Sequence, residues 1–236
     1  PHASSSAASD VYKRQSYGTL KLIGKFMDFD EVIDRRGTHS SNWDTMEDLY
    51  GVSPDSGLSM WVADMDFRAP KIIQEKLHEI NSHGIYGYYG DYKEYNNSIK
   101  WWMKNRHNWE IDTSWIFTTH GLVNGTGLCI DAFTKPGDGI ILFTPVYYQF
   151  SNLVEAARRK VVECPLKLID NHYHFDFVSY ERNLSGDEKM IILCSPHNPG
   201  GRVWTKNELQ EVAKFAKKHD LCLLYTSPSP RDYGTS

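Results

Sequence analysis

Asn198 lies in the stretch Ser195-Pro196-His197-Asn198-Pro199-Gly200-Gly201-Arg202-Val203-Trp204, directly after the apolar run 190–194. An apolar run followed by a double-proline turn predicts a buried strand ending in a stiff loop. Each proline fixes a φ angle, and the glycines let the chain turn. In an open α/β sheet, ligands collect beyond the carboxyl ends of the parallel strands, where a rigidly held amide can read a planar ligand. The same residues also suit a plain turn, and both readings stand.

Gly121-Leu122-Val123-Asn124-Gly125-Thr126-Gly127 opens a helix after a short apolar segment. Free N–H groups and the helix dipole at such a start make a phosphate cradle. Tight helix packing selects the same small residues, so the cluster alone does not decide. Thr144-Pro145-Val146-Tyr147-Tyr148 closes another apolar run and presents a flat ring to the same edge. That ring either stacks on a flat ligand or fills the core. His172-Tyr173-His174 has strand spacing, with both imidazoles on one face. Without Cys or acidic ligands at suitable spacing, it reads as a solvent-facing hairpin and not as a metal pair.

The elements that must hold these residues follow from periodicity. Pro70 opens a helix with Ile73, Leu77 and Ile80 on one buried face and Gly84 as its cap. A second helix carries Tyr95, Ile99, Trp102 and Met103 on one stripe. Trp101-Trp102 beside basic residues raises nucleic-acid stacking, but amphipathicity explains the spacing. Strands are expected at 115–118, 140–143, 160–164, 190–194 and 221–224. Helices are expected at 122–133 and 149–158, with a hairpin through Asp170-Asn171. A capping box, Thr205-x-x-Glu208, starts a further helix with Leu209, Val212, Ala213 and Ala216 buried. Strands alternating with helices at this spacing predict a three-layer α/β/α fold with a mainly parallel sheet.

The 236 residues are 40% hydrophobic with a net charge of -4, which suits one domain with a sizeable core. Such a charge makes no electrostatic case for a nucleic-acid or membrane partner. The four cysteines are far apart and read as buried free thiols in a reducing compartment. No apolar run reaches the roughly 18 residues of a membrane span, and no signal-peptide region is visible. The expected location is the cytoplasm.

Both ends differ from the middle. Residues 1–15 have a Ser/Ala-rich run and then Val11-Tyr12-Lys13-Arg14-Gln15, without periodicity. Beyond 221–224 the chain reads Tyr225-Thr226-Ser227-Pro228-Ser229-Pro230-Arg231-Asp232. Both ends resemble translated sequencing-adapter sequence, an ordinary disordered tail at each end being the alternative. The expected division is a non-native or untranslated leader over 1–26, a start at Met27, an N-terminal arm over 27–60, a partial large domain over 61–224 and an adapter-like tail over 225–236.

Ser195 to Gly201 resembles the S-P-x-N-P-x-G motif of fold-type I pyridoxal-phosphate enzymes, with Gly200 in place of the motif's usual Thr. The resemblance implies that Asn198 bonds the phenolic oxygen of pyridoxal 5'-phosphate. It also implies that Tyr147, in a T-P-x-Y stretch, stacks on the pyridine ring, and that Gly121 with the amides of Leu122 and Val123 faces the phosphate. Phe29-Asp30, Asp34-Arg35-Arg36, Trp43-Asp44 and Trp61-Val62-Ala63-Asp64-Met65-Asp66-Phe67 resemble the N-terminal arm of the PatB/MalY-type carbon-sulfur β-lyases. His83-Gly84-Ile85-Tyr86-Gly87-Tyr88 resembles their H-G-x-F-G-Y stretch. By that resemblance Asp64 and Met65 face the substrate. Tyr88 reaches the phosphate of a neighbouring subunit, which implies a homodimer with shared sites. The match runs over 27–224.

The chemistry so implied is β-elimination of a thiolate from L-cystathionine or another cysteine S-conjugate, a small-molecule amino acid, giving pyruvate and ammonia. A class I/II aminotransferase is the alternative, although that group lacks the two N-terminal segments. A non-catalytic α/β binding or regulatory module is the alternative of another class. The family's pyridine-pairing Asp, Schiff-base Lys and carboxylate-binding Arg would all fall after Leu224, as would a C-terminal small domain. This chain is therefore expected to hold no catalytic lysine, to be inactive and to be poorly stable by itself.

Overall fold

The computed structural model describes residues 28–226. The leader, the expected start at Met27 and the tail from 227 onward lie outside the described residues. The described residues form two compact units, divided between Tyr92 and Lys93.

In the first unit, α1 (Ser41–Asp44) and α2 (Met46–Tyr50) are short and α3 spans Lys71–His83. Gly51 and Gly84 end α2 and α3 in the left-handed region, a conformation glycine adopts without a Cβ penalty. Arg35 organises the arm: its guanidinium meets Asp64 at 2.6 Å and Asp66 at 2.9 Å. Trp43 Nε1 donates to the same Asp66 at 3.0 Å. The D-M-D-F segment is thus held by a forked cation, the geometry at which arginine excels.

The second unit begins with α4 (Lys93–His107) and α5 (Gly121–Phe133). Then follow β1 (Gly139–Leu142), α6 (Gln149–Ala156) and β2 (Lys160–Glu163). A hairpin of β3 (Lys167–Ile169) and β4 (His172–His174) turns through Asp170 and Asn171, both at positive φ. After it come α7 (Phe177–Asn183), β5 (Glu188–Cys194), α8 (Lys206–Lys218) and β6 (Cys222–Thr226). The main sheet has the order β2-β1-β5-β6, with every neighbouring pair parallel.

Side chains alternate across this sheet, so its two faces build two cores. Ile141, Phe143, Ile191 and Leu193 pack with Tyr180 of α7 and with Val212, Phe215 and Ala216 of α8. Ile140, Leu142, Met190, Ile192 and Cys194 pack with Ile130 of α5 and with Phe150 and Val154 of α6. Each fully buried Ile or Leu contributes about 1.5–3 kcal/mol, which favours burying both faces. The result is the expected three-layer α/β/α fold with a mainly parallel sheet.

Several elements depart from expectation. No strand forms over 115–118: Asp112 accepts from Ser114 N–H and starts a 3-10 turn at Thr113–Trp115. The residues after it are extended but pair with no strand among the described residues. The apolar stripe of α3 is not buried, with Ile73, Leu77 and Ile80 each about half exposed at 49%, 62% and 51%. Within the first unit, no other helix packs over it. On α8, Phe215 is buried while Ala213 is exposed, because the covered stripe is rotated toward the aromatic side chains of the α7 layer. Helix α7 was not expected, and β6 continues past Leu224 through Tyr225 and Thr226.

Candidate functional site

Every parallel strand of the main sheet ends at the same edge. The loop after β1 carries Tyr147, and the loop after β5 carries Asn198. Helix α5 feeds β1 through a tight turn at the opposite edge, where Gly139 N–H donates to Asp187 O at 3.0 Å. Running antiparallel to β1, α5 brings its own N-terminus, Gly121 to Val123, to the carboxyl edge.

This helix start is uncapped, since His120 makes no side-chain cap bond. Gly121 has φ +83, and apart from its chain neighbours and its own helix backbone no atom lies within 4 Å of where its Cβ would be. The first-turn amides of Leu122 and Val123 have no acceptor within the helix, as for any helix start. Asn124 reaches back, its Oδ1 accepting from His120 N–H at 3.4 Å. Gly125 packs against Thr119, whose Oγ1 would lie 3.0 Å from an added Cβ. Gly125 therefore serves packing, while the amides of Leu122 and Val123 stay open, as an anion cradle requires.

Tyr147 is half-buried, edge-on to Phe150 at 5.6 Å and to Tyr148 at 5.3 Å. Burial raises its phenol pKa, with a smaller push from Tyr148, so the ring stays neutral.

The Asn198 loop is bound from several sides. Asn198 N–H lies 3.2 Å from Cys194 Sγ, and Trp204 Nε1 donates to Cys194 O at 2.9 Å. Tyr225 O–H donates to Ser195 O at 3.0 Å. The side-chain amide of Asn198 makes no hydrogen bond among the described residues, so its donor and acceptor stay available. At Gly200 an added Cβ would come within 2.7 Å of the His197 ring and 2.9 Å of the Tyr173 ring. A threonine has no room there, which explains the departure at that position. His197 Nε2, in turn, lies 2.7 Å from Pro145 O, joining this loop to the one that carries Tyr147. Sequence reasoning passed over His197; the available signal was a histidine flanked by prolines and followed by paired glycines.

Tyr88, Asp64 and Met65 belong to the first unit. The Tyr88 side chain is wholly exposed and Met65 is 57% exposed, whereas Asp64 is paired with Arg35. His172 and His174 share one face of the hairpin, and His172 Nδ1 lies 2.8 Å from Asp170 O. Among the described residues, no group of His, Cys, Asp and Glu is placed to hold a metal ion. Among them, too, no helix is long and apolar enough to cross a membrane. Cys164 and Cys194 are buried, while Cys129 and Cys222 are half-buried, all four without disulfides.

The edge thus offers an anion cradle, a flat ring with apolar backing and a rigid, unpaired amide. These groups fit a flat, phosphorylated heteroaromatic ligand such as pyridoxal phosphate.

The model of the aminotransferase class I and II family matches residues 62–225. Cystathionine beta-lyase PatB of Bacillus subtilis (strain 168) is 38% identical over 199 residues, covering 84% of this chain and 51% of PatB. Protein MalY of Escherichia coli (strain K12) is 31% identical over 195 residues, covering 81% of this chain and 49% of MalY. The crystal structure of cystalysin from Treponema denticola, which contains a pyridoxal 5'-phosphate cofactor, matches with a TM-score of 0.77 and 39% identity. That match covers 84% of this chain and 50% of cystalysin. The chain spans about half the length of the curated relatives it matches.

Proposed function

Because the chain belongs to the aminotransferase class I and II family, we propose that it forms the cofactor-holding wall of a pyridoxal-phosphate-dependent carbon-sulfur β-lyase. The substrate class is L-cystathionine or another cysteine S-conjugate. One observation carries this reading: the unpaired Asn198 amide stands on a loop hydrogen-bonded to the Tyr147 loop, in a chain 38% identical to PatB. When bound, the cofactor supplies an electron sink for charge developing at the substrate α-carbon.

The chain's own residues do the holding. Amides of Leu122 and Val123 would hold the phosphate at the positive end of α5, and Gly121 would leave room for its approach. Asn198 would donate its side-chain N–H to the phenolic oxygen. Tyr147, backed by Phe150, covers one face and excludes water from it. Asp64 and Met65 are assigned to the substrate, and Tyr88 to the phosphate in a neighbouring subunit of a homodimer. Within these 236 residues no lysine has the family's S-x-S-K-type context, and we assign none of them a catalytic role. Free cysteines suit the reducing cytoplasm.

Titration of pyridoxal phosphate into the chain, followed by absorbance and tryptophan quenching, tests the cofactor reading. Saturable uptake supports it, and uptake no greater than by a lysine-rich control protein overturns it. Borohydride trapping at one specific lysine would overturn the assignment of no catalytic lysine. The reaction is tested with these residues continued by the C-terminal half of PatB: pyruvate and thiol release supports the lyase. Transfer of the amino group to a keto acid supports an aminotransferase, a second reading favoured by the family model that matches.

A further inference from the structure

His197 is only 3% exposed, and its ring edge meets Trp204 at 5.3 Å. Because Pro145 O can only accept, the Nε2 that lies 2.7 Å from it must carry the proton. Nδ1 is buried and makes no hydrogen bond among the described residues, and the pull of the nearby Cys194 carbonyl on a ring proton is outweighed by burial. A proton there would leave a charge in a dry site, so the ring is neutral. The backbone of the same residue closes the loop: its N–H donates to Arg202 O at 2.7 Å and its O accepts from Gly201 N–H at 2.8 Å. His197 immediately precedes Asn198, and Pro145 stands just before Val146 and Tyr147.

We propose that His197 is a positioning residue: as a neutral Nε2–H donor to Pro145 O, it locks the Asn198 loop to the Tyr147 loop. It thereby sets the gap between the amide that reads the ligand's oxygen and the ring that covers its face. The proposal rests on the reading of this edge as a pyridoxal phosphate site. A side chain of similar volume without a donor fills the space but breaks the lock. An amide at the same reach restores it.

The test compares the full chain with His197→Gln, whose side-chain N–H reaches the Nε2 position, and His197→Leu. Nitrogen NMR of the wild-type ring is expected to show Nε2 protonated and Nδ1 bare. Without ligand, amide exchange is read at Phe150 N–H, which donates to Tyr147 O at 3.0 Å, and at Gly201 N–H. In His197→Leu both are expected to exchange about tenfold faster, and pyridoxal phosphate affinity to fall about tenfold, as for one lost buried hydrogen bond. His197→Gln should stay within about twofold of wild type in both readouts. The proposal is overturned if Leu matches wild type, if Gln is no better than Leu, or if Nδ1 carries the proton. Should the Leu variant not fold, the ring tautomer and the Gln variant decide: recovery of both readouts supports the lock, and their loss overturns it. If wild type takes up no pyridoxal phosphate while the exchange pattern holds, the cofactor reading fails and the loop coupling stands.

Discussion

Arg202 Nη2 donates to Glu208 Oε1 at 2.6 Å, while Glu208 Oε2 accepts from Thr205 N–H at 2.8 Å and closes the cap of α8. One carboxylate therefore ends the Asn198 loop and begins the helix behind it. Arg202 also donates to Tyr173 O at 2.9 Å and lies over the Trp204 ring, so the hairpin joins the same network. Its contacts hold Glu208 below the usual carboxylate range against the cost of burial, with the Thr205 bonds the largest of them and Arg202 adding to them.

Glu208→Ala removes the carboxylate half of the capping box and leaves a half-buried guanidinium short of its partner, whereas Thr205→Ala removes only the hydroxyl half. Thr205→Ala is expected to cost about 1 kcal/mol. Glu208→Ala should cost more, about 2–3 kcal/mol, because a charged hydrogen bond goes with it. Urea melts of both variants check the order.

Asn198→Ala should leave stability within about 0.5 kcal/mol of wild type, because the side chain makes no hydrogen bond that folding relies on. Pyridoxal phosphate affinity should fall about tenfold. Equal affinity in the two proteins would remove Asn198 from the site.

Gly200→Ala drives a methyl group to 2.7 Å from the His197 ring and 2.9 Å from the Tyr173 ring. Both rings are fixed by neighbours, so relief must come from the loop itself. Destabilisation of about 1–3 kcal/mol is expected, read as a shift of the urea midpoint at constant slope.

Burial lowers the pKa of His197 from 6.5, opposed in part by the Pro145 and Cys194 carbonyls. The native ring thus binds a proton less readily than the unfolded one. Its contribution is full above the unfolded value, about 6.5, and is lost as pH falls from there toward the folded value. Urea midpoints at pH 7.5 and 5.5 should differ more for wild type than for His197→Gln, which has no titrating group there. Parallel pH dependence in the two proteins would refute this.

The strand-helix alternation, the hairpin and the capping box of α8 were legible because each is written locally, in periodicity or in paired residues a few positions apart. The Asn198 and Tyr147 loops were legible as strand ends for the same reason. What escaped depends on distant partners. Residues 115–118 have strand composition, but a strand also needs a neighbour, and periodicity does not name one. Ile73, Leu77 and Ile80 announce an apolar stripe without saying what lies over it. Helix α7 is short, and its only local sign is Asp176, whose side chain accepts from Ser179 N–H. His197 escaped because its ring partner is 52 residues away.

Strand β5 gives alternate residues to the two apolar clusters, Ile191 and Leu193 to one and Met190, Ile192 and Cys194 to the other. Neither cluster can lose this strand without the other losing it too, so the helices on opposite faces are coupled thermodynamically through a single backbone. Residues 93–226 should therefore melt in one cooperative transition, with probes on α6 and α8 reporting the same midpoint. A helix layer that came away first would have to leave half of β5 bare, and that shared exposure is what makes unfolding all-or-none.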